Sequence, residues 1–214
     1  MSIGALALKV RQKYEHGLTV AHYRDTVRPR ILKTRPISNT TDTICEIHVL
    51  TSAKDWLNLM WALKSFYWAS RRNYALCIHD DGTLTDEHRN TLQKHFPKAR
   101  VIERKAADEY VLASLAKHPR CLEFRKNNHL APKVLDFAAY LNSDRMLLLD
   151  SDILFFEEPA ALLDRIENPE YQLNTINGDT ASAFTVDPAI VKVQCGFDMV
   201  ERFNSGIGLI HKAS

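Results

Sequence analysis

From residue 44 onward, apolar runs with the character of β-strands alternate with segments whose apolar residues recur at helical spacing. The four runs that predict strands are CEIHVLT (45–51), YALCIHDDG (74–82), ARVIER (99–104) and RMLLLDSDILFF (145–156). Between them the pattern predicts helices after a Ser52-x-x-Asp55 cap, over 85–95, over 106–117 and over 132–141. The last strand is almost continuously apolar, which is typical of a strand covered on both faces.

This alternation of strands and helices predicts an α/β fold, with a mostly parallel sheet flanked by helices and right-handed crossovers. Such sheets bind ligands at the carboxyl ends of their strands. Polar residues follow all four predicted strands, and they are Thr51, Ser52, Asp80, Asp81, Glu103, Arg104, Asp150 and Asp152. We therefore expect a polar site along one rim of the sheet.

The polar stretch RPISNTTDT (35–43) predicts a linker, which divides the chain into a basic extension, 1–43, and a domain, 44–214. The extension holds eight Lys and Arg against three Asp and Glu, a net charge of +5. Four apolar residues could line one face of a basic amphipathic helix: Leu6, Leu8, Val10 and Tyr14. Such a helix either packs on the domain or a second subunit, or makes weak contact with an anionic membrane surface.

Composition places the 214-residue chain among ordinary globular proteins, with 45% hydrophobic and 25% charged residues. The formal charge of +2 gives no case for a nucleic-acid partner, and none is predicted. No apolar run approaches a bilayer-spanning length, so we expect a cytoplasmic protein or one peripheral to a membrane. Cys45 and Cys77 lie in or beside strand-like runs and indicate small buried hydrophobic residues rather than metal ligands.

The segment LLLDSDILFF carries the clearest chemistry in the chain. Two carboxylates two residues apart at the end of an apolar strand repel each other unless a cation lies between them. Carboxylate oxygens suit Mg²⁺ or Mn²⁺, which also bind diphosphate oxygens. The pattern therefore favours Asp150 and Asp152 as metal ligands, although Asp150 could instead cap the strand while Asp152 faces solvent.

This DSD segment resembles the DxD motif of GT-A glycosyltransferases, and RFNSGIGLI (202–210) resembles the NSG strand of the glycogenin and lipopolysaccharide hexosyltransferase family, a family-8-like group. The turn after the second predicted strand, HDDGTLTDE, also fits that family. The resemblance covers roughly residues 44 to 212 and implies a Rossmann-like, nucleotide-diphospho-sugar transferase fold. It implies metal-dependent transfer of a hexosyl group from a nucleoside diphosphate sugar, with a UDP-sugar favoured, to a saccharide, lipid or protein hydroxyl.

The resemblance also implies roles for individual residues. Asp150 and Asp152 would bind Mn²⁺ or Mg²⁺. The nucleotide-sugar positions that it implies are Thr51, Ser52, Asp80, Asp81, Lys133, Asp150, Asn204 and Ser205. No protein nucleophile is implied, and an inverting enzyme would need a carboxylate base, for which Asp179, Asp187 and Asp198 remain open.

The chain departs from this family at its carboxyl end. His211 is the one histidine after Asp152, and it follows the NSG segment too closely to match the family's downstream metal ligand. The family's usual acceptor-side elements would lie after Ser214, so we expect the domain to be incomplete at this end. The alternative function is therefore a GT-A-like domain that binds a nucleotide or a partner without catalysis.

Two other enzyme classes fit the sequence less well. A haloacid-dehalogenase-type phosphatase needs an aspartate where HDDGTL has His79, and a histidine forms no aspartyl-phosphate. A sugar-1-phosphate nucleotidyltransferase needs a glycine-rich loop after its first strand, whereas LTSAKDW contains no glycine.

Overall fold

One six-stranded sheet, in the order β3-β2-β1-β4-β6-β5, organises this computed structural model, which describes residues 11, 14–37, 41–182 and 184–213. The strands are β1 Asp42–Thr51, β2 Tyr74–Asp80, β3 Arg100–Ile102, β4 Arg145–Leu149, β5 Thr175–Gly178 and β6 Phe203–His211. The helices are α1 Leu18–His22, α2 Trp56–Ser70, α3 Asp86–His95, α4 Arg104–Ser114, α5 Pro119–Asn127, α6 Ala131–Tyr140, α7 Ala160–Glu167 and α8 Pro188–Cys195.

The strand directions confirm a mixed α/β sheet with a parallel half. β1 pairs in parallel with both β2 and β4, and β3 pairs in parallel with β2. β6 is antiparallel to β4 and to β5. The chain places β2 and β3 on one side of β1 and then β4 on the other side. This reversal of the strand order opens a crevice at the carboxyl ends of β1 and β4.

The larger core lies on one face of the sheet, under α2. Alternate residues of β1 point into it, namely Cys45, Ile47 and Val49, because successive side chains of a strand point to opposite faces. The apolar residues of α2 meet them from above, among them Leu59, Met60, Leu63 and Phe66, all fully buried. The predicted helical spacing of this segment is confirmed, although the helix begins at Trp56, after a turn over 53–55.

The opposite face is smaller and more polar. Phe137 and Leu141 pack with Met146 under α6, beside a row of polar side chains on β1 and β2. That row consists of Glu46 and His48 on β1 and Cys77 and His79 on β2, all of them buried. Strands that put polar side chains into a core need partners for them within the protein.

The fourth strand is shorter than its apolar run predicts. β4 ends at Leu149, and residues 151 and 152 form a turn. The chain then leaves the sheet, and the backbone N–H of Phe155 donates to Ser65 Oγ at 3.0 Å. Ile153 and Phe155 therefore pack against the larger core instead of extending the strand, whereas Leu154 and Phe156 are exposed. Asp150 and Asp152 come to lie at a strand end.

The segment before β1 packs on the domain over residues 28–37. Ile31 is buried in the larger core, and Trp61 Nε1 donates to the carbonyl of Arg28 at 2.9 Å. Lys64 Nζ donates to the carbonyl of Arg35 at 2.6 Å. The predicted linker overlaps β1, which begins at Asp42, while residues 38–40 lie outside the described part.

The predicted amphipathic N-terminal helix falls largely outside the described residues, which exclude Leu6, Leu8 and Val10. The division at residue 43 and the contacts proposed for the extension stay predictions. In the part of the chain that the structure describes, no helix is both long enough and apolar enough to cross a membrane.

Candidate functional site

A cavity of about 300 Å³ opens at the carboxyl ends of β1 and β4, where the sheet reverses direction. Three strand ends and the start of α6 surround it. Its lining residues are Leu50, Thr51, Ser52, Asp55, Asp81, His129, Leu130, Lys133, Asp150, Ser151 and Asp152. Six of the predicted site residues are among them. The polar groups predicted for one rim of the sheet therefore surround one concave space.

Asp150 is held firmly at the end of β4. Its backbone N–H donates to the carbonyl of Gly206 at 2.7 Å, which extends the β4–β6 pairing by one residue. Its carboxylate forms an ion pair with Lys133 Nζ through Oδ1. Asp152 follows in the turn and is exposed at the same cavity. The two carboxylates therefore line one space, with Oδ2 of Asp150 left outside the lysine pair.

Lys133 reaches the cavity from the first turn of α6. That helix is fixed by a buried pair, in which Arg125 of α5 donates through two nitrogens to Asp136 of α6 at 2.5 and 2.7 Å. Arg125 also lies 2.9 Å from the carboxylate of Asp108 on α4. A two-point guanidinium–carboxylate contact restrains both distance and orientation, so the position of Lys133 is set by the packing of three helices.

The carboxyl end of β1 contributes two hydroxyl groups and a turn. Thr51 is almost fully buried, and its hydroxyl has no hydrogen-bond partner among the described residues. Ser52 Oγ donates to Asp55 Oδ2 at 2.8 Å and accepts from the backbone N–H of Asp55 at 3.2 Å. The Ser52-x-x-Asp55 spacing thus forms a closed turn at the cavity wall.

The two aspartates after β2 have different surroundings. Asp80 is buried and accepts from the backbone N–H groups of Gly82 and Leu84, at 2.7 and 3.1 Å, and from Arg89 at 3.0 Å. Its carboxylate thus stabilises the turn. Asp81 faces the cavity, and its Oδ1 accepts from the hydroxyl of Thr83 at 2.6 Å. Of the two, Asp81 is the one placed to meet a ligand.

The start of β6 lies against Asp150. A Cβ atom added at Gly206 would stand 2.8 Å from Asn204 Oδ1 and 3.3 Å from Asp150 Oδ2, so this position has no room for a side chain. Asn204 Oδ1 accepts from the backbone N–H of Gly206 at 2.7 Å, and its Nδ2 donates to Asp179 at 3.2 Å. Ser205 is exposed on the same strand end. The NSG segment therefore adjoins the DSD segment.

Some contributions differ from the sequence prediction. The end of β3 does not line this cavity, because Arg104 turns into α4 and pairs with Asp108 at 2.8 Å, while Glu103 lies 3.8 Å from Arg89. His129 and Leu130, which the sequence analysis missed, line the cavity just before α6. The sequence did contain an indication of these two residues, because the turn before a helix that starts near residue 132 must also face this rim.

His211 lies at the other end of β6 from the candidate site. It pairs with Arg145 at the amino end of β4, seven residues beyond Asn204, which is about 20 Å along an extended strand. Burial is the main cause that lowers the pKa of its imidazole, with a smaller effect from Arg145. This position agrees with the expectation that His211 does not match the family's downstream metal ligand.

Comparisons with known proteins find likeness at the level of structure. Neither protein-family models nor curated protein sequences give a match to this chain. A mouse xyloside xylosyltransferase 1 in its apo form is similar at a TM-score of 0.53 and 12% identity, over 83% of this chain and 68% of that protein. A galactosyltransferase LgtC with donor and acceptor sugar analogues is similar at a TM-score of 0.50 and 18% identity, over 78% of this chain and 58% of that protein.

These structural neighbours are glycosyltransferases, and the six-stranded sheet with flanking helices described above matches them in fold. At such low identity the likeness speaks for the fold, while function depends on the residues of the site. This chain has the GT-A glycosyltransferase fold.

Proposed function

We propose that this protein transfers a hexosyl group from a nucleoside diphosphate sugar to an acceptor hydroxyl, with a divalent metal ion. One observation carries the proposal, namely that Asp150, Asp152 and Lys133 line a single cavity at the point where the strand order of a GT-A sheet reverses. Two carboxylates suit a divalent cation, and a lysine beside them suits a diphosphate. A UDP-sugar is the proposed donor.

The residues fit a hard divalent cation such as Mn²⁺ or Mg²⁺. Asp150 and Asp152 offer carboxylate oxygens only, and the ion pair of Asp150 with Lys133 supports a position that accepts positive charge. When bound, the ion would neutralise the charge that develops on the leaving diphosphate. Lys133 would bind a phosphate oxygen of the donor, and its anchored helix would keep it in place.

The remaining residues would hold the donor at two ends. Thr51, Ser52 and Asp81 lie on the β1 and β2 side and would contact the base and ribose. Asn204 and Ser205 lie on the β6 side and would contact the sugar. Close approach of two reactants in fixed orientation supplies a large part of the barrier reduction in such transfers.

The positions of the three candidate aspartates reduce the choice of a catalytic base for an inverting reaction. Asp187 caps α8, where it accepts from the N–H of Ala189, and Asp198 pairs with Lys192 at 2.8 Å. Asp179 instead contacts Asn204 at the site end of β6. If the enzyme inverts stereochemistry, Asp179 is the proposed base.

A second candidate function is nucleotide binding without catalysis. The ion pair between Lys133 and Asp150 favours it, because a lysine can stand in for a metal charge at this position. This chain also spans only 58% of the length of LgtC and 68% of the xylosyltransferase.

Titration with UDP-hexoses, with and without Mn²⁺, separates the two functions. Mn²⁺-dependent release of UDP in the presence of an acceptor is expected for the transferase. Binding of equal affinity with and without Mn²⁺, and no turnover, would support the binding module. Release of phosphate from simple esters would contradict both the transferase and the binding module, and it would favour the phosphatase interpretation.

A further inference from the structure

Three metal-ligating side chains meet in the polar face of the sheet, away from the cavity described above. They are His48 on β1 and Cys77 and His79 on β2, and all three are buried. One ligand atom from each lies within 4.8 Å of the other two. His48 pairs with Cys77 across the two strands, and His79 follows Cys77 by two residues on the same face. The strand register alone therefore brings them together.

The closest contacts join atoms that compete for the same proton. His48 Nδ1 lies 3.1 Å from His79 Nε2, and Cys77 Sγ lies 3.3 Å from that same nitrogen. On its other side, His48 Nε2 faces the carboxylate of Glu46 at 3.2 Å. The ring nitrogen and the carboxylate are adjacent, although the contact falls short of hydrogen-bond geometry.

No arrangement of protons satisfies these groups when both histidines are neutral. Of His48 Nδ1 and His79 Nε2, one nitrogen must donate and the other accept, so this contact uses the single proton or lone pair of His79 Nε2. The thiol proton of Cys77 then has no acceptor in this cluster, and the other nitrogen of His79, Nδ1, is buried without a hydrogen-bond partner among the described residues. Buried polar groups without partners destabilise a folded protein.

We propose that His48 Nδ1, His79 Nε2 and Cys77 Sγ bind one Zn²⁺ ion inside the domain. Imidazole and thiolate are the ligands that zinc takes, and three protein ligands leave one position for a water molecule. Binding releases the thiol proton of Cys77 to solvent. The thiolate then balances one of the two positive charges of the ion, while the Glu46 carboxylate beside His48 is already paired with Arg100.

The surroundings of His48 match what such a site needs. Glu46 would hold His48 through its free ring nitrogen, the arrangement in which a carboxylate orients a metal-bound histidine. Arg100 of β3 fixes Glu46 at 2.6 Å, and the N–H of Asn142 donates to its other oxygen at 2.9 Å. The ring of Phe137 packs on both imidazoles, at centroid distances of 5.4 and 4.6 Å. The site would fasten β1 to β2 just before Thr51 and Asp81.

Metal analysis of matched variants tests this site. The protein is produced without a polyhistidine tag in zinc-containing medium and dialysed before elemental analysis, for which we expect about one zinc ion per chain. Cys77→Ala should retain less than about a tenth of that amount. Cys45→Ala, which removes the other buried cysteine on the opposite face, should keep its zinc, and so should Asp152→Asn. A zinc-free wild type, or zinc retained by Cys77→Ala, would overturn the proposal.

X-ray absorption at the zinc edge gives an answer even if Cys77→Ala fails to fold. The sample is the chain with Cys121→Ala and Cys195→Ala, which removes both exposed cysteines. We expect one sulfur at about 2.3 Å and imidazole nitrogens at about 2.0 Å from the ion. A shell of oxygen and nitrogen without sulfur would assign the zinc to another place and refute the site.

Discussion

At the scale of single residues, the candidate site depends on contacts that join segments far apart in the chain. Asp150 is held through its backbone by Gly206 and through its side chain by Lys133. Sequence spacing selected Asp150 and Asp152, because they follow an apolar run, whereas Lys133 was named through the family resemblance. It was not enough to separate Asp80 from Asp81, since that difference comes from Arg89, nine residues on, which pairs with Asp80.

Gly206 gives the residue-scale prediction. In Gly206→Ala the new methyl group would stand 2.8 Å from Asn204 Oδ1 and 3.3 Å from Asp150 Oδ2, so one of them must move. We expect UDP affinity in the presence of Mn²⁺ to fall roughly tenfold, since small displacements of site residues are costly. The matched control is Gly178→Ala on β5, where nothing lies within 4 Å of the added atom. Equal UDP affinity in both variants, measured by calorimetry, would argue against a tight site at Gly206.

At the scale of elements, the structure departs from the hydrophobic pattern where polar contacts decide the geometry. The predicted strand over 145–156 ends at Leu149, because Phe155 bonds to Ser65 on α2 and takes the apolar residues away from the sheet. The helices α5, α7 and α8 and the strand β5 were not predicted, since each is short. For α5, moreover, much of the stabilisation comes from one buried arginine rather than an apolar face.

The pair of Arg125 and Asp136 tests how α6 is positioned. Arg125→Leu leaves Asp136 buried without its partner, so we expect the free energy of unfolding to fall by about 3 kcal/mol in urea titrations. Arg120→Leu, at an exposed position of the same helix, should change it by less than about 0.5 kcal/mol.

The double variant Arg125→Leu/Asp136→Leu separates the buried charge from the lost packing. It should recover part of the stability, because no unpaired carboxylate remains in the core. A double variant as unstable as the sum of the two single variants would show that the pair acts only through its volume.

The attachment of residues 28–37 to α2 gives a prediction about pH. Burial lowers the pKa of Lys64, which donates to the carbonyl of Arg35, to about 8. Between this value and the ordinary lysine pKa of about 10.4, the unfolded chain binds more protons than the folded one, so stability contributed by this residue rises with pH. Across that pH window, the free energy of unfolding of the wild type should rise by roughly 1 to 3 kcal/mol relative to that of Lys64→Met. Parallel pH curves for the two proteins would contradict this cause.

At the scale of the whole molecule, the order of strands and helices predicts the site better than any single motif. The alternating pattern predicted a mostly parallel sheet with polar strand ends, and the structure brings three of the four predicted strand ends to one cavity. It could not foretell the antiparallel β5 and β6 or the buried His48, Cys77 and His79 cluster. That cluster has no short-range spacing signature, because its members meet through the register of β1 and β2.

The central claim is that Asp150 and Asp152 together bind a divalent ion that binds the diphosphate of the donor. Calorimetric titration of UDP in the presence and absence of Mn²⁺ tests it most directly, on the wild type, on Asp152→Asn and on Asp164→Asn, an exposed aspartate of α7 that serves as the control. We predict that Mn²⁺ strengthens UDP binding to the wild type and to Asp164→Asn by about tenfold or more, and that Asp152→Asn loses this gain. Binding of UDP that Mn²⁺ leaves unchanged in the wild type, or a full gain in Asp152→Asn, would contradict the account.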